Sequence, residues 1–216
     1  PIPIAYEFDE KTDETFNETI RNIRRFKYAR YTPLLYLVDK KKYAQMMAAQ
    51  RNMGGFMKGI LVKRLESSFY AFKQTLSRFI ESYERFIAMY ESGTVLISKD
   101  VNVYDLLDNG DTKKLLHLIE EGEVMQFKSD EFSVALVKDL RYDLNQLRYL
   151  QSLWADIDTD PKLMQFKTEL TKDSRLEGKK IIVFTESKET ADYLFSELEA
   201  IYGDRIVHFS GQSSAA

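Results

Sequence analysis

The chain has 216 residues, of which 44% are hydrophobic and 30% charged, and its formal net charge is −3. Such a chain can bury a substantial core, whereas no apolar run approaches the roughly 18 residues of a membrane-spanning helix and no apolar leader with a small-residue cleavage site opens it. It has no cysteine, which excludes disulfides, thiolate zinc sites and cysteine nucleophiles and makes a reducing compartment, the cytoplasm, the expected location.

The charge is unevenly distributed. Residues 19–73 hold 13 Lys/Arg against Asp39 and Glu66, an excess of 11, while residues 1–18 count one Lys against six acids and residues 74–216 count 17 basic against 26 acidic. The asymmetry fits a polyanionic partner, or a solvated helical surface balanced in space by the acidic remainder.

In chain order, Ile2–Phe8 alternates as a short edge strand would, with Pro1 and Pro3 tolerable near its start. Phe16, Ile20, Ile23 and Phe26 then recur at helical spacing, predicting a helix over about 12–29 before Pro33 breaks the pattern. Residues 39–52 read as a second helix, punctuated by Gly54 and Gly55 before Phe56, Ile60 and Leu61 resume. The clearest signal is Leu65, Phe69, Phe72, Leu76, Phe79, Tyr83, Phe86 and Tyr90, a 3.5-residue repeat that Ser92-Gly93 ends. Val137, Leu140, Leu144, Leu147 and Trp154 form a second stripe, broken by Gln151. Two such stripes predict an antiparallel hairpin of helices over about 65–91 and 132–154, with the aromatic seam as core packing. Between them fall a short strand at Thr94–Ile97 and a helix at Thr112–Glu120.

From Lys179 the character changes. Ile181-Ile182-Val183-Phe184 is a continuous apolar run, the form of a strand covered on both faces, and Thr185 closes it. A helix with Ala191, Leu194, Phe195 and Leu198 inward follows, Gly203 ends it, and Arg205–Phe209 reads as a second strand. The predicted fold is therefore mainly α, a long helical hairpin or bundle over 1–176, followed by a partial α/β β-α-β unit over 177–216. One such unit cannot bury its faces unaided and leans on the helical part or belongs to a larger domain.

Several isolated features have plain structural readings. His117 and His208 have no neighbouring ligands at metal spacing and read as structural. Glu120, Glu121 and Glu123 read as an exposed helix end, because no nucleophile accompanies them. Gly54, Gly55 and Gly110 read as turns and caps. No Gly-x-x-x-x-Gly-Lys-Ser/Thr loop occurs, so the sequence offers no backbone cradle for nucleotide phosphates.

Two stretches carry a family resemblance. Lys179-Lys180-Ile181-Ile182-Val183-Phe184-Thr185-Glu186-Ser187-Lys188-Glu189-Thr190-Ala191-Asp192-Tyr193-Leu194, with Val207-His208-Phe209-Ser210-Gly211 after it, resembles the opening of the second RecA-like lobe of superfamily-two helicases, and Asp160-Pro161-Lys162-Leu163 resembles the run into that lobe. Leu61-Val62-Lys63-Arg64-Leu65-Glu66-Ser67-Ser68, with Ala71-Phe72, resembles the segment after the first lobe in bacterial Swi/Snf-like helicases. The resemblance implies a fragment of an ATP-dependent translocase acting on DNA or RNA. It would hold the inter-lobe helices and the start of the second lobe, without the first lobe or the rest of the second. It implies no catalytic or cofactor-binding residue in this chain, with ATP and magnesium bound by the intact parent.

Under the same resemblance Thr185, Ser187, Ser210 and Gly211 would face the nucleic-acid backbone beyond the carboxyl edge of the strands, and Lys63 and Arg64 would contact phosphates. The structural alternatives are helix capping by Thr185 or Ser187, and ion pairs from Lys63 and Arg64 to Glu66 or to the acidic part of the chain. A different class of function, a helical scaffold with an α/β appendage and no nucleotide chemistry, fits the same composition.

Overall fold

Aromatic and leucine residues spaced three and four apart dominate the middle of the chain, and they form its longest helices. The structure, a computed structural model, describes residues 3–98 and 123–209. In chain order it contains helix α1 (Glu10–Arg25), α2 (Ala44–Ser67), α3 (Phe69–Glu91), strand β1 (Thr94–Ser98), β2 (Val124–Lys128), α4 (Ala135–Ala155), α5 (Pro161–Lys172) and α6 (Lys188–Tyr202), with short 3-10 turns between. The fold is mainly helical, with one small two-stranded antiparallel sheet. The expected helix at 112–120 and His117 lie outside the described residues. No helix among the described residues is long and apolar enough to cross a membrane.

The chain forms two compact units interleaved in sequence. The first comprises residues 1–25, 58–77 and 149–216, and the second residues 26–57 and 78–148.

In the first unit the buried face of α1 is Thr12, Thr15, Thr19, Asn22 and Ile23, while the expected stripe residues Phe16 and Ile20 are half-buried. The reason is a hydrogen-bonding requirement. Trp154 is wholly buried, and its indole N–H needs an acceptor. Thr19 Oγ1 supplies it at 2.8 Å while donating to the Thr15 carbonyl at 2.7 Å. Phe69 and Phe72 meet the indole ring edge to face, at centroid distances of 4.7 and 5.3 Å. Beyond the end of α4, Lys73 Nζ donates to the Ile157 carbonyl at 2.6 Å and Lys11 Nζ to the Asp156 carbonyl at 2.9 Å. These lysines satisfy carbonyls of the turn that follows the helix.

The expected helix over 65–91 is two helices. Ser68 interrupts it: its hydroxyl accepts the Ala71 N–H at 3.1 Å, capping α3, and α2 ends at Ser67. Gly54 and Gly55 lie inside α2 and do not punctuate it. Ile2–Phe8 forms no strand over the described residues 3–8. Neither Ile181–Phe184 nor Arg205–Phe209 is a strand. The first run is exposed and irregular, and the second begins with the end of a 3-10 turn, Gly203–Arg205. Among the described residues each run has neither the neighbouring strand nor the covering layer that a doubly buried strand requires. The intervening helix α6 does form, and it ends at Gly203, whose φ of 55° suits glycine.

In the second unit β1 pairs with β2 in the register Thr94↔Lys128 to Ser98↔Val124, burying Val95, Ile97, Val124 and Phe127. Gly93, at φ 93°, turns the chain from α3 into β1. Leu37 bridges Phe132, and Val38 N–H donates to the Glu131 carbonyl at 2.9 Å. Helices α3 and α4 run antiparallel here, with Glu84 paired to Arg148 and Glu91 to Arg141, each at 2.7 Å.

The polar centre of this unit is Asp143, buried on α4. One carboxylate oxygen accepts the Lys27 N–H at 2.7 Å, and the other accepts the Ala29 N–H at 3.0 Å and the Tyr83 hydroxyl at 2.9 Å. The turn so held contains Tyr28 at φ 56°, a left-handed conformation that costs a non-glycine residue energy. Burial raises the Asp143 carboxyl above its ordinary 3.8, and the three hydrogen bonds oppose that shift without cancelling it.

Replacing Asp143 with Ala strands two buried amides and a phenol, so it should lower unfolding free energy by about 3 kcal/mol in urea titrations at neutral pH. A loss under about 1 kcal/mol would show that the turn does not depend on this carboxylate. Because the folded-state pKa is raised, the native protein binds the extra proton more tightly than the unfolded chain. The stability advantage of the wild type over Asp143→Asn should therefore shrink as pH rises from the ordinary carboxylate value through the raised one.

Candidate functional site

Residues some 120 positions apart converge where the end of α2 meets the start of α6, all within the first unit. Ser187 caps α6, its side chain accepting the Thr190 N–H at 3.3 Å, and its hydroxyl donates to Glu189 Oε2 at 2.8 Å. The same Glu189 oxygen receives Arg64 Nη1 at 3.1 Å. Lys63 Nζ lies 3.3 Å from Glu186 Oε2, with both side chains largely exposed. The buried Thr190 hydroxyl joins Ser67 Oγ at 2.7 Å and Ser68 Oγ at 2.8 Å. Three hydroxyls and two ion pairs therefore tie the end of α2 and the α2–α3 break to the start of α6.

Beside this junction opens a cleft of about 450 Å³, lined among others by Lys63, Asp160, Lys162, Val183, Thr185 and Tyr193. Asp160 caps α5 by accepting the Leu163 N–H at 3.1 Å, and Pro161 follows at the first helical position, where its missing N–H costs nothing. Lys162 Nζ donates to the Glu66 and Ser67 carbonyls at 2.7 and 3.2 Å, closing the end of α2. Burial pushes the Tyr193 phenol up, and the nearby Asp160 and Glu197 carboxylates add to the effect. Tyr6 is raised for the same first reason, with Asp160 and Glu66 contributing. Tyr193 also stacks on Tyr70, with centroids 5.0 Å apart and planes 8° from parallel.

Of the residues singled out from the sequence, Lys63 and Thr185 line the cleft, while Arg64 and Ser187 do not line it and meet at Glu189. Thr185 Oγ1 also accepts the Ser187 N–H at 3.3 Å, so it shapes the approach to α6. Ser210 and Gly211 lie outside the described residues. Sequence reading missed Thr190, Lys162 and Tyr193. The Asp-Pro pair before α5 was a visible cap signal, but nothing local in the sequence marks a threonine in the first turn of α6 as a link to serines 122 positions away.

The cleft offers hydroxyls, two lysines and carboxylates, and no histidine lines it among the described residues. Among the described residues no group of three or more His, Asp or Glu side chains could hold a metal ion. His208 lies 3.4 Å from Asp192 and against Phe195, a packed position on the far side of α6.

Thr190→Val keeps the shape and removes the shared hydroxyl, which should destabilise the chain by about 1 to 3 kcal/mol, and Ser187→Ala should cost about 1 kcal/mol through the lost cap. Chemical denaturation monitored by circular dichroism measures both. Neutral outcomes would mean that solvent replaces the junction's hydrogen bonds. Compared with protein-family models, curated proteins and solved structures, the chain matches none of them.

Proposed function

We propose that this chain is part of an ATP-dependent nucleic-acid translocase of the superfamily-two, Swi/Snf-like kind. It contributes inter-lobe helices and the beginning of a second RecA-like lobe, and nucleotide hydrolysis belongs to the intact parent with ATP and magnesium. One observation carries the reading: the two stretches that resemble such motors, Leu61–Ser68 and Lys179–Leu194, meet at a single junction through Lys63, Arg64, Ser67, Ser68, Glu186, Glu189 and Thr190. The apolar run before Thr185 and the run after Gly203 flank α6 in the order of a β-α-β unit, and their exposure fits strands whose neighbours belong to a larger sheet. In this reading Lys63 and Thr185, on the open cleft, meet the phosphate backbone of DNA or RNA. Arg64 holds Glu189 and so positions α6.

A second reading has its own support. Lys63 and Arg64 both pair with acids at the α6 start, which is how a scaffold would neutralise its basic stretch internally. Fluorescence anisotropy with labelled single- and double-stranded oligonucleotides over a salt series separates the two. On the translocase reading Lys63→Ala with Arg64→Ala weakens binding to every sequence alike and, because Lys63 alone of the two meets phosphate, lowers the slope of log K against log salt by roughly 0.7 to 0.9. The control, Lys138→Ala with Lys172→Ala on exposed helical surfaces, leaves the slope unchanged. Equal slopes for both double variants would leave the scaffold as the better account.

A further inference from the structure

Residues 19–73 hold 13 Lys/Arg, and the junction in the first unit accounts for only part of that excess. There Lys63 and Arg64 face Glu186 and Glu189, and Lys73 is bound to a backbone carbonyl. Residues 26–57, in the second unit, hold six Lys/Arg against the single acid Asp39. Three of the six, Lys40, Lys41 and Lys42, are consecutive and exposed. Among the described residues no carboxylate lies within ion-pair distance of their ammonium groups. Asp39 is turned to the backbone instead, accepting the Lys41 N–H at 3.1 Å.

Folding does not explain these charges. They lie just before α2, whose first turn holds no acid, so the helix dipole opposes them, and neighbouring like charges repel. The turn is nevertheless fixed. Tyr43 meets the buried Phe127 of β2 edge to face with centroids 5.2 Å apart, and its carbonyl accepts the N–H of the buried Met47 at 3.0 Å. Lys42 Nζ lies over the Tyr43 ring at 5.3 Å, a contact that orients the ammonium without neutralising it. Two turns into α2 the exposed Arg51 shares a face with the exposed Ala44 and Ala48 and likewise pairs with no carboxylate among the described residues.

We infer that this lysine turn is a second phosphate-contacting site for nucleic acid, carried by the second unit. It rests on the motor reading for the identity of its partner. Three ammonium groups held together with no anion suit a chain of phosphates, each neutralising one lysine and releasing counterions. Arg51 follows at about 10 Å along the helix from Ala44, a span that one phosphate does not cover and a polymer does. Such contacts fix a strand without reading its sequence.

Fluorescence anisotropy on the whole chain, with DNA and RNA oligonucleotides of one and two strands over a salt series, tests the site. Lys40→Ala, Lys41→Ala and Lys42→Ala together should weaken binding to every sequence alike and lower the slope of log K against log salt by roughly 2.1 to 2.7, at 0.7 to 0.9 for each phosphate. Lys40→Arg, Lys41→Arg and Lys42→Arg together should keep the wild-type slope, because every charge remains. Circular dichroism checks that both variants are folded. A wild-type slope in the triple Ala variant, alongside a lowered slope for Lys63→Ala, would overturn this site and leave the motor reading standing. Failure of the wild type to bind any oligonucleotide even at low salt would overturn both. Lysine-dependent binding to phosphatidylserine vesicles in place of oligonucleotides would assign the turn to a membrane surface and overturn the inference.

Discussion

A buried carboxylate in the middle of a helix is costly, and Asp143 occurs in the core of α4 because nothing else there could satisfy the chain it faces. Two backbone amides and a phenol point at one position, and only a two-oxygen acceptor serves all three. The turn they belong to carries Tyr28 in a left-handed conformation, which persists because the surroundings over-determine it. Around this centre the second unit is assembled from ordinary parts: the β1–β2 pair, the Leu37–Phe132 bridge and the antiparallel pairing of α3 with α4. The acid is thus an organising element, and its raised proton affinity records the desolvation that the position imposes.

That same residue explains where the sequence was legible and where it misled. The seam Leu65 to Tyr90 was plain: seven of its eight members are buried and Tyr90 is half-buried. Its partner stripe was read as Val137, Leu140, Leu144, Leu147 and Trp154, broken by Gln151; all but the half-buried Val137 are buried, and Leu136, Asp143 and Leu150 are buried beside them. A charged residue at a core position breaks an apolar pattern and shifts the apparent phase of the helix. The threonine face of α1 was hidden for a related reason: threonine is not counted as apolar, and its value there lies in an acceptor for Trp154. Strand β2 escaped notice because Gln126 and Lys128 dilute a five-residue segment. The runs at 181–184 and 205–209 carried a strong strand signal, but a strand is a property of a pair and the signal cannot supply the partner.

The candidate site was only partly readable. Lys63, Arg64, Thr185 and Ser187 were visible as residue types in suggestive places, and they do gather at one junction. What joins them was not visible. Ser67, Ser68 and Thr190 act through short side chains that hydrogen-bond only once tertiary structure has brought two helix ends together, and such contacts leave no periodic trace. The junction also separates their roles: Arg64 is held in a half-buried pair with Glu189, whereas Lys63, paired with Glu186, keeps a largely exposed side chain.

Trp154 is the single tryptophan of the chain, and it sits among Phe69, Phe72 and Thr19 in the first unit. Tyrosines, by contrast, are spread widely, and Tyr28, Tyr31, Tyr36 and Tyr83 belong to the second unit. Emission excited at the red edge of indole absorption therefore reports one packing site, dry and hydrogen-bonded, while tyrosine absorbance weighs both units. The chain carries a built-in optical separation of its two halves, and loss of structure in one can be timed independently of the other without attaching a dye.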